Sequence, residues 1–351
     1  MKLKTLSLCI LGTILASAPA GAQITADLVA GPSILPASGS PAAPHTPSGT
    51  VIIGNNLWVG DEAQGLRHYI PLDPANTDPL NTGTLVFDSD PEWSIGGGTA
   101  CVPWCSVGQA AQDGSTRAYV AVWDHPKGQP GNFGGPGIWM LMFQPVLGQS
   151  FVVEGISPLA QNFGLGGNLP TAVALGPDGK LYVGYLKNGN IQRITNPSTL
   201  NPTPQTQTVE SVGTTPNGRP MRAMAFLGAD LYIATDQGLS VVRNAAACIG
   251  NQGGCGNAVL VQDGFAGANH VALTTDGAGK IYFSTGATVY RYTPADLRVV
   301  PVSSGFAFAG GHTNMLTLDP FGNLWIGDDP SEVNFSGRLW RVRAASLATI
   351  L

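Results

Sequence analysis

An aliphatic–aromatic pair recurs six times along the chain: Leu57-Trp58, Ala118-Tyr119, Leu181-Tyr182, Leu231-Tyr232, Ile281-Tyr282 and Leu324-Trp325. The aromatic positions lie 61, 63, 50, 50 and 43 residues apart. Around each pair the same unit returns: an apolar stretch, a turn, the pair inside a strand core, a polar loop, and a further strand that often carries Arg. The copy from Thr171 to Ile194 and the copy that begins at Asn314 show it most clearly. A period of this length suits four short antiparallel strands and variable loops, the blade of a β-propeller. Within the unit, the Pro-Asp-Gly-Lys turn at residues 177–180 predicts the hairpin between strands one and two. Long helices are excluded, because 47 Gly and 27 Pro among 351 residues would interrupt them.

The ends of the chain extend this reading. The sixth unit completes its third strand at Arg338–Val342, and only about nine residues follow, too few for an outer strand and its connection. Residues 24–30 read as a strand that belongs to no first unit. The expectation is an all-β, six-bladed propeller, closed by this N-terminal strand, which completes the last blade and removes a free sheet edge. The division expected is a secretory signal peptide at 1–22 and a single propeller domain at 23–351. Within that domain, 23–31 is the closing outer strand and 32–48 the linker to the first inner strand.

The signal peptide is read from Lys2 and Lys4, a short apolar run at 6–16, and the small residues Ala20, Gly21 and Ala22 before the cut. The run is too short to span a bilayer, and no later segment is long and apolar enough to do so. The expected location is secreted or periplasmic. Four cysteines remain after the cut, as the close pairs Cys101/Cys105 and Cys248/Cys255. In an oxidising compartment they read as two local disulfides; the alternative is a metal or redox site, although neither spacing is that of a zinc knuckle or a thioredoxin-type motif.

The segments at 177–183 and 319–328 resemble the NHL-repeat and SMP-30/gluconolactonase-like group of six-bladed propellers, which includes the streptogramin lyases. The resemblance implies a site at the mouth of the central channel, with a divalent cation (Ca, Mg or Zn) or lactonase- or lyase-type chemistry. Gluconolactonase-like members hold their cation through a Glu at the first inner strand and Asn, Asn and Asp at later ones. Asn314 matches one such Asn by position. Ser48 and Gly49 stand near the expected Glu, and Thr171 and Arg222 stand where further ligands would be. The lyases' Glu after strand two has no counterpart in the segments that end at Tyr185, Thr235, Thr285 and Asp328. Neither ligand set is carried over whole.

In such a ring the loops before strand one and after strand two share a face. Before strand one lie His45, the Cys101–Cys105 loop, Thr171, Arg222, His270, and His312 with Asn314; after strand two lie Asp61, Asp124, Lys187, Asp236, Thr285 and Asp328. His45, His270 and His312 come from units one, five and six, which become neighbours on closure. Imidazole with carboxylate suits a divalent ion or acid–base work, so His45, His270, His312, Asn314 and Asp328 are the candidate metal ligands and His270 and His312 the candidate catalytic groups. The competing reading makes these aspartates turn-formers and these histidines satisfiers of loop carbonyls. The partner expected at this face is a small molecule, a carbohydrate or a protein. With 17 basic against 22 acidic residues and no basic run, nucleic acid is not expected. Two function classes remain: a binding module, or a metal-dependent hydrolase or lyase.

Overall fold

In the computed structural model of the chain, each repeat is a four-stranded antiparallel sheet, and the described residues form six of them. These residues are 24, 26–30, 47–53, 56–61, 65–69, 85–86, 106–114, 116–124, 137–145, 151–161, 169–197, 208–249, 255–263, 271–286, 288–303, 312–329 and 337–350. Blade 1 comprises β2 (Pro47–Ile53), β3 (Asn56–Asp61), β4 (Gly65–Tyr69) and β5 (Leu85–Val86). Blade 2 comprises β6 (Ser106–Asp113), β7 (Arg117–Asp124), β8 (Gly137–Pro145) and β9 (Phe151–Gln161). Blade 3 is β10 (Pro170–Leu175), β11 (Leu181–Tyr185), β12 (Asn190–Ile194) and β13 (Val209–Thr214). Blade 4 is β14 (Met221–Leu227), β15 (Asp230–Thr235), β16 (Gly238–Val242) and β17 (Val259–Asp263). In blade 5 the strands are β18 (Leu273–Thr275), β19 (Ile281–Thr285), β20 (Thr288–Thr293) and β21 (Arg298–Ser303). Blade 6 takes β22 (His312–Leu318), β23 (Leu324–Asp329) and β24 (Arg338–Val342) from one end of the chain and β1 (Asp27–Ala30) from the other.

The recurring pair explains how the blades stack. Successive strand residues point to opposite faces of a sheet. In blades 3 to 6 the aliphatic member packs on the preceding blade and the aromatic member on the following one. Leu181 lies in the core shared with blade 2, and Tyr182 in the core shared with blade 4. Leu231 and Tyr232, Ile281 and Tyr282, and Leu324 and Trp325 divide in the same way. Each of these aromatics is at most 4% exposed, so burial of each ring stabilises its interface by about 2 kcal/mol or more.

The Arg of the third strand completes the unit. Tyr182 faces Arg193 across the sheet and Trp325 faces Arg341, with the guanidinium carbons 5.8 and 5.9 Å from the ring centres. Arg243 lies 6.0 Å over Tyr232. Such cation–π contacts hold a cation against a buried ring.

Neighbouring inner strands touch all the way round, from β2 through β6, β10, β14, β18 and β22 back to β2. The ring is therefore closed, and β1 closes its last sheet: Asp27 pairs with Arg341, Leu28 with Trp340 and Ala30 with Leu339. The Asp27 carboxylate accepts from Arg343 Nε at 2.7 Å and lies 3.5 Å from Arg341 Nη2. After β24 the chain ends its described part in the short helix α1 (Ala344–Ala348).

The Cys248–Cys255 pair is a disulfide in the β16–β17 connection. Arg193 of blade 3, only 1% exposed, donates to the Cys248 carbonyl at 2.9 Å and to Glu210 at 2.6 Å, so the bridged loop is held against the neighbouring blade. Cys101 and Cys105 lie outside the described residues.

Candidate functional site

Inner strands run from the channel mouth, and near that end five of the six carry a β-bulge. The register slips between Pro47 and Thr50, between Val107 and Ala110, between Pro170 and Ala172, between Met221 and Ala223, and between Thr313 and Met315. The residues set out of register are Ser48–Gly49, Gly108–Gln109, Thr171, Arg222 and Asn314. A bulge re-aims its side chain, which otherwise alternates between the two blade interfaces. Blade 4 shows the effect: Met221 and Met224 both pack toward blade 3, Ala223 packs toward blade 5, and Arg222 is half-buried between them.

The bulges bring the inner strands very close. A methyl group on Gly49 would run into the carbonyl oxygen of Gly108 and sit 2.9 Å from the Ala110 nitrogen. One on Gly108 would run into the Thr171 carbonyl oxygen. The Thr171 hydroxyl, itself buried, donates to the Met221 carbonyl at 2.6 Å.

Gln109 organises the layer beneath. The channel-facing edge of an inner strand leaves backbone N–H and C=O groups without strand partners. The Gln109 carboxamide reaches from β6 past β10 to β14. Its Nε2 donates to the Met224 carbonyl at 2.7 Å, while its Oε1 accepts from the Met224 N–H at 2.8 Å and from the Val173 N–H at 3.3 Å. The side chain thereby acts as a short strand laid across blades 2, 3 and 4. It forms a polar shelf two residues below Thr171 and Arg222, about 6 Å deeper at the usual strand rise.

His312 is the first residue of β22 and pairs with Asp329; Thr313 pairs with Asp328, and Asn314 occupies the bulge. Asn314 thus shares a layer with Thr171 and Arg222. Asp328 is fully buried. Its Oδ2 accepts from Arg338 Nη2 at 2.6 Å and Nε at 3.2 Å, and its Oδ1 from Trp340 Nε1 at 2.7 Å. Asp236 accepts from Arg219 at 3.1 Å. His45 and His270 lie outside the described residues. Among the described residues no three His, Cys, Asp or Glu side chains come together.

Among the described residues of blades 2 to 4 the donor chemistry does not fit a divalent cation. Gln109 Oε1 already accepts two amides, the Thr171 hydroxyl is committed to Met221, and Arg222 brings a positive charge.

The opposite channel mouth holds a cleft of about 330 Å³, lined by Thr50, Ile52, Ala110, Gln112, Thr317 and Asp319. Asp319 is saturated there by the N–H groups of Phe321 and Asn323, the Asn323 amide and the Trp325 indole.

Reasoning from sequence did not find Gln109. The segment Gly108-Gln109-Ala110-Ala111-Gln112 lacks the large apolar residues that mark a core strand, and two glutamines in an inner strand were the available signal.

The architecture recurs in solved structures. The PQQ-bound aldose sugar dehydrogenase of Streptomyces coelicolor is 13% identical over 93% of this chain and 99% of that one, with a TM-score of 0.54. The soluble aldose sugar dehydrogenase of Escherichia coli is 11% identical over 91% and 99%, at 0.51. A calcium-binding protein, regucalcin, from Agrobacterium tumefaciens is 12% identical over 86% and 90%, also at 0.51. At these identities the likeness establishes the propeller fold. The chain matches no protein-family description and no curated protein sequence.

Proposed function

We propose that the protein is an exported, single-domain propeller that binds a small ligand at the channel-mouth face. The observation that carries this reading is the shelf formed by Gln109. It lays a neutral, hydrogen-bonded side chain across blades 2, 3 and 4, two residues deeper along their strands than Thr171 and Arg222. Small-molecule sites are commonly built from a few fixed polar groups of this kind in a recess between packed elements. The Cys248–Cys255 disulfide supports residence in an oxidising compartment. No helix of the described residues is long and apolar enough to cross a membrane. Export is checked by N-terminal sequencing of the processed protein, which should begin at Gln23.

A second reading is favoured by Asn314 at a bulge with His312 two residues before it in the same strand. It is that of a divalent-metal-dependent hydrolase or lyase of the NHL or SMP-30-like type, with Ca, Mg or Zn held by His45, His270, His312 and Asn314. In that reading His270 or His312 moves the proton. Asp328 joins such a ligand set only by surrendering Arg338 and Trp340.

Metal analysis separates the two. Purified protein without stoichiometric metal, and with a melting temperature unchanged by EDTA, supports the binding module. One metal per chain, lost on His312→Ala and on Asn314→Ala, replaces it with the enzyme.

A further inference from the structure

At the channel end away from the bulges, β22, β2 and β6 border a cavity of about 330 Å³. Side chains alternate along a strand, and core contacts fix which face each one takes. Met315 of β22 and Ile52 of β2 meet in the core shared by blades 6 and 1. Thr317 and Thr50 lie two residues away from them with no bulge between, so they share those facing sides. Both line the cavity, and neither hydroxyl has a hydrogen-bond partner among the described residues. Gln112 of β6 adds an amide: its Oε1 accepts from the Ile52 N–H at 3.1 Å and its Nε2 donates to the Gly114 carbonyl at 2.8 Å. One of its N–H groups and one of its lone pairs stay free.

The cavity suits neither ion. Its carboxylate, Asp319, is 6% exposed and already accepts from the Phe321 and Asn323 N–H groups, the Asn323 amide and the Trp325 indole. A cation therefore finds no carboxylate lone pair to take, and an anion meets a negative charge. Among the described residues no basic side chain lines the space. We propose that this cavity binds a small uncharged polyol, of monosaccharide size or less. Thr50, Thr317 and Gln112 hold its hydroxyls, and its C–H face lies on Ile52 and Leu318. The site is separate from the channel-mouth face and does not depend on it. Hydroxyls that both donate and accept match the free groups of two threonines and an amide. The volume is near the lower limit of small-molecule sites, about 300–1,000 Å³, which sets the size of the ligand. Polar groups left without a partner reject a hydrocarbon of the same shape, so the site discriminates by hydroxyls.

The test is isothermal titration of the purified protein with glucose, myo-inositol, succinate and choline, with hydrogen exchange of β2 and β22 as the second readout. The expected result is saturable binding of at least one of the two polyols, with slowed exchange around Thr50 and Thr317. Thr50→Val and Thr317→Val keep the side-chain shape and should each weaken that binding about 3- to 10-fold. Thr317→Ser keeps the hydroxyl and should stay within about twofold of wild type. Ala110→Met fills the cavity and should abolish binding; melting temperatures show which variants fold, and the threonine variants decide if this one does not. Undiminished polyol binding in the Thr50→Val/Thr317→Val double variant overturns the proposal. Failure of both polyols to bind overturns it too, as does equal binding of succinate or choline. Polyol protection confined to the Pro170 and Met221 ends of β10 and β14 likewise sinks it, while supporting the channel-mouth reading.

Discussion

Gln109 replaces the partner that an inner strand lacks, and its value is set by what removal would strand. In Gln109→Leu the Met224 N–H and C=O and the Val173 N–H lose their partner. The expected cost is about 2–3 kcal/mol in urea unfolding, less if water enters the gap. Gln109→Glu is the sharper test. An ionised carboxylate still accepts from the two N–H groups but offers no donor to the Met224 carbonyl. The variant should therefore be less stable than wild type at neutral pH and should recover part of the difference as acid protonates it; a deficit that stays constant with pH would contradict the role given to Nε2. Gly108→Ala is expected to cost about 2–3 kcal/mol, because the obstacle is a backbone carbonyl on the next strand, which cannot rotate away as a side chain could. None of this was legible beforehand. The partners of Gln109 are backbone atoms 64 and 115 residues away, and a bulge leaves no mark in residue type, as Ser, Gly, Gln, Thr, Arg and Asn at these positions show.

At the level of strands and blades much more could be read in advance, since the aliphatic–aromatic pair is a local pattern with a physical cause. Leu181 and Tyr182 must differ because they serve different interfaces. The closing strand was legible as well, though only by elimination: residues 24–30 had no unit of their own and the sixth unit lacked a strand. The structure adds the ion pair of Asp27 with Arg343. Deleting residues 1–31 should expose the edge of β24, lower the melting temperature by about 10 °C or more, and make the β22–β24 sheet the first to be cut by protease. A synthetic peptide of residues 23–31 should restore most of the loss. If the truncated protein melts as wild type does, β1 is not the clasp described here. The candidate residues His45 and His270 lie outside the described residues, in stretches between strands whose conformation no repeat pattern specifies, so the sequence could place them only relative to strand ends.

The molecule as a whole is stabilised by phenols turned into blade interfaces, and this sets its behaviour in alkali. Burial pushes the Tyr182 hydroxyl up to about 12, with Asp178 adding to the rise and Arg193 opposing it. Burial likewise raises Tyr119, Tyr185, Tyr232, Tyr282 and Tyr292. Above pH 10, where a free phenol ionises, the unfolded chain loses these protons before the folded one does, which for Tyr182 spans the range up to about pH 12. Stability from these groups is then complete below pH 10 and falls as pH rises through that window. Thermal melts from pH 7 to 11.5 should show the fall begin near 10, with tyrosinate absorbance appearing together with unfolding; early titration of all the phenols in the native state would refute it. The clasp between β1 and β24 has a consequence for biosynthesis too. Asp27 meets Arg343 across 316 positions of sequence, so the earliest part of the propeller to be translated waits for nearly the latest. A nascent chain halted before Arg338 leaves that opening stretch with nothing to zip onto, and quality-control proteases are thereby given a way to tell an aborted product from a finished one.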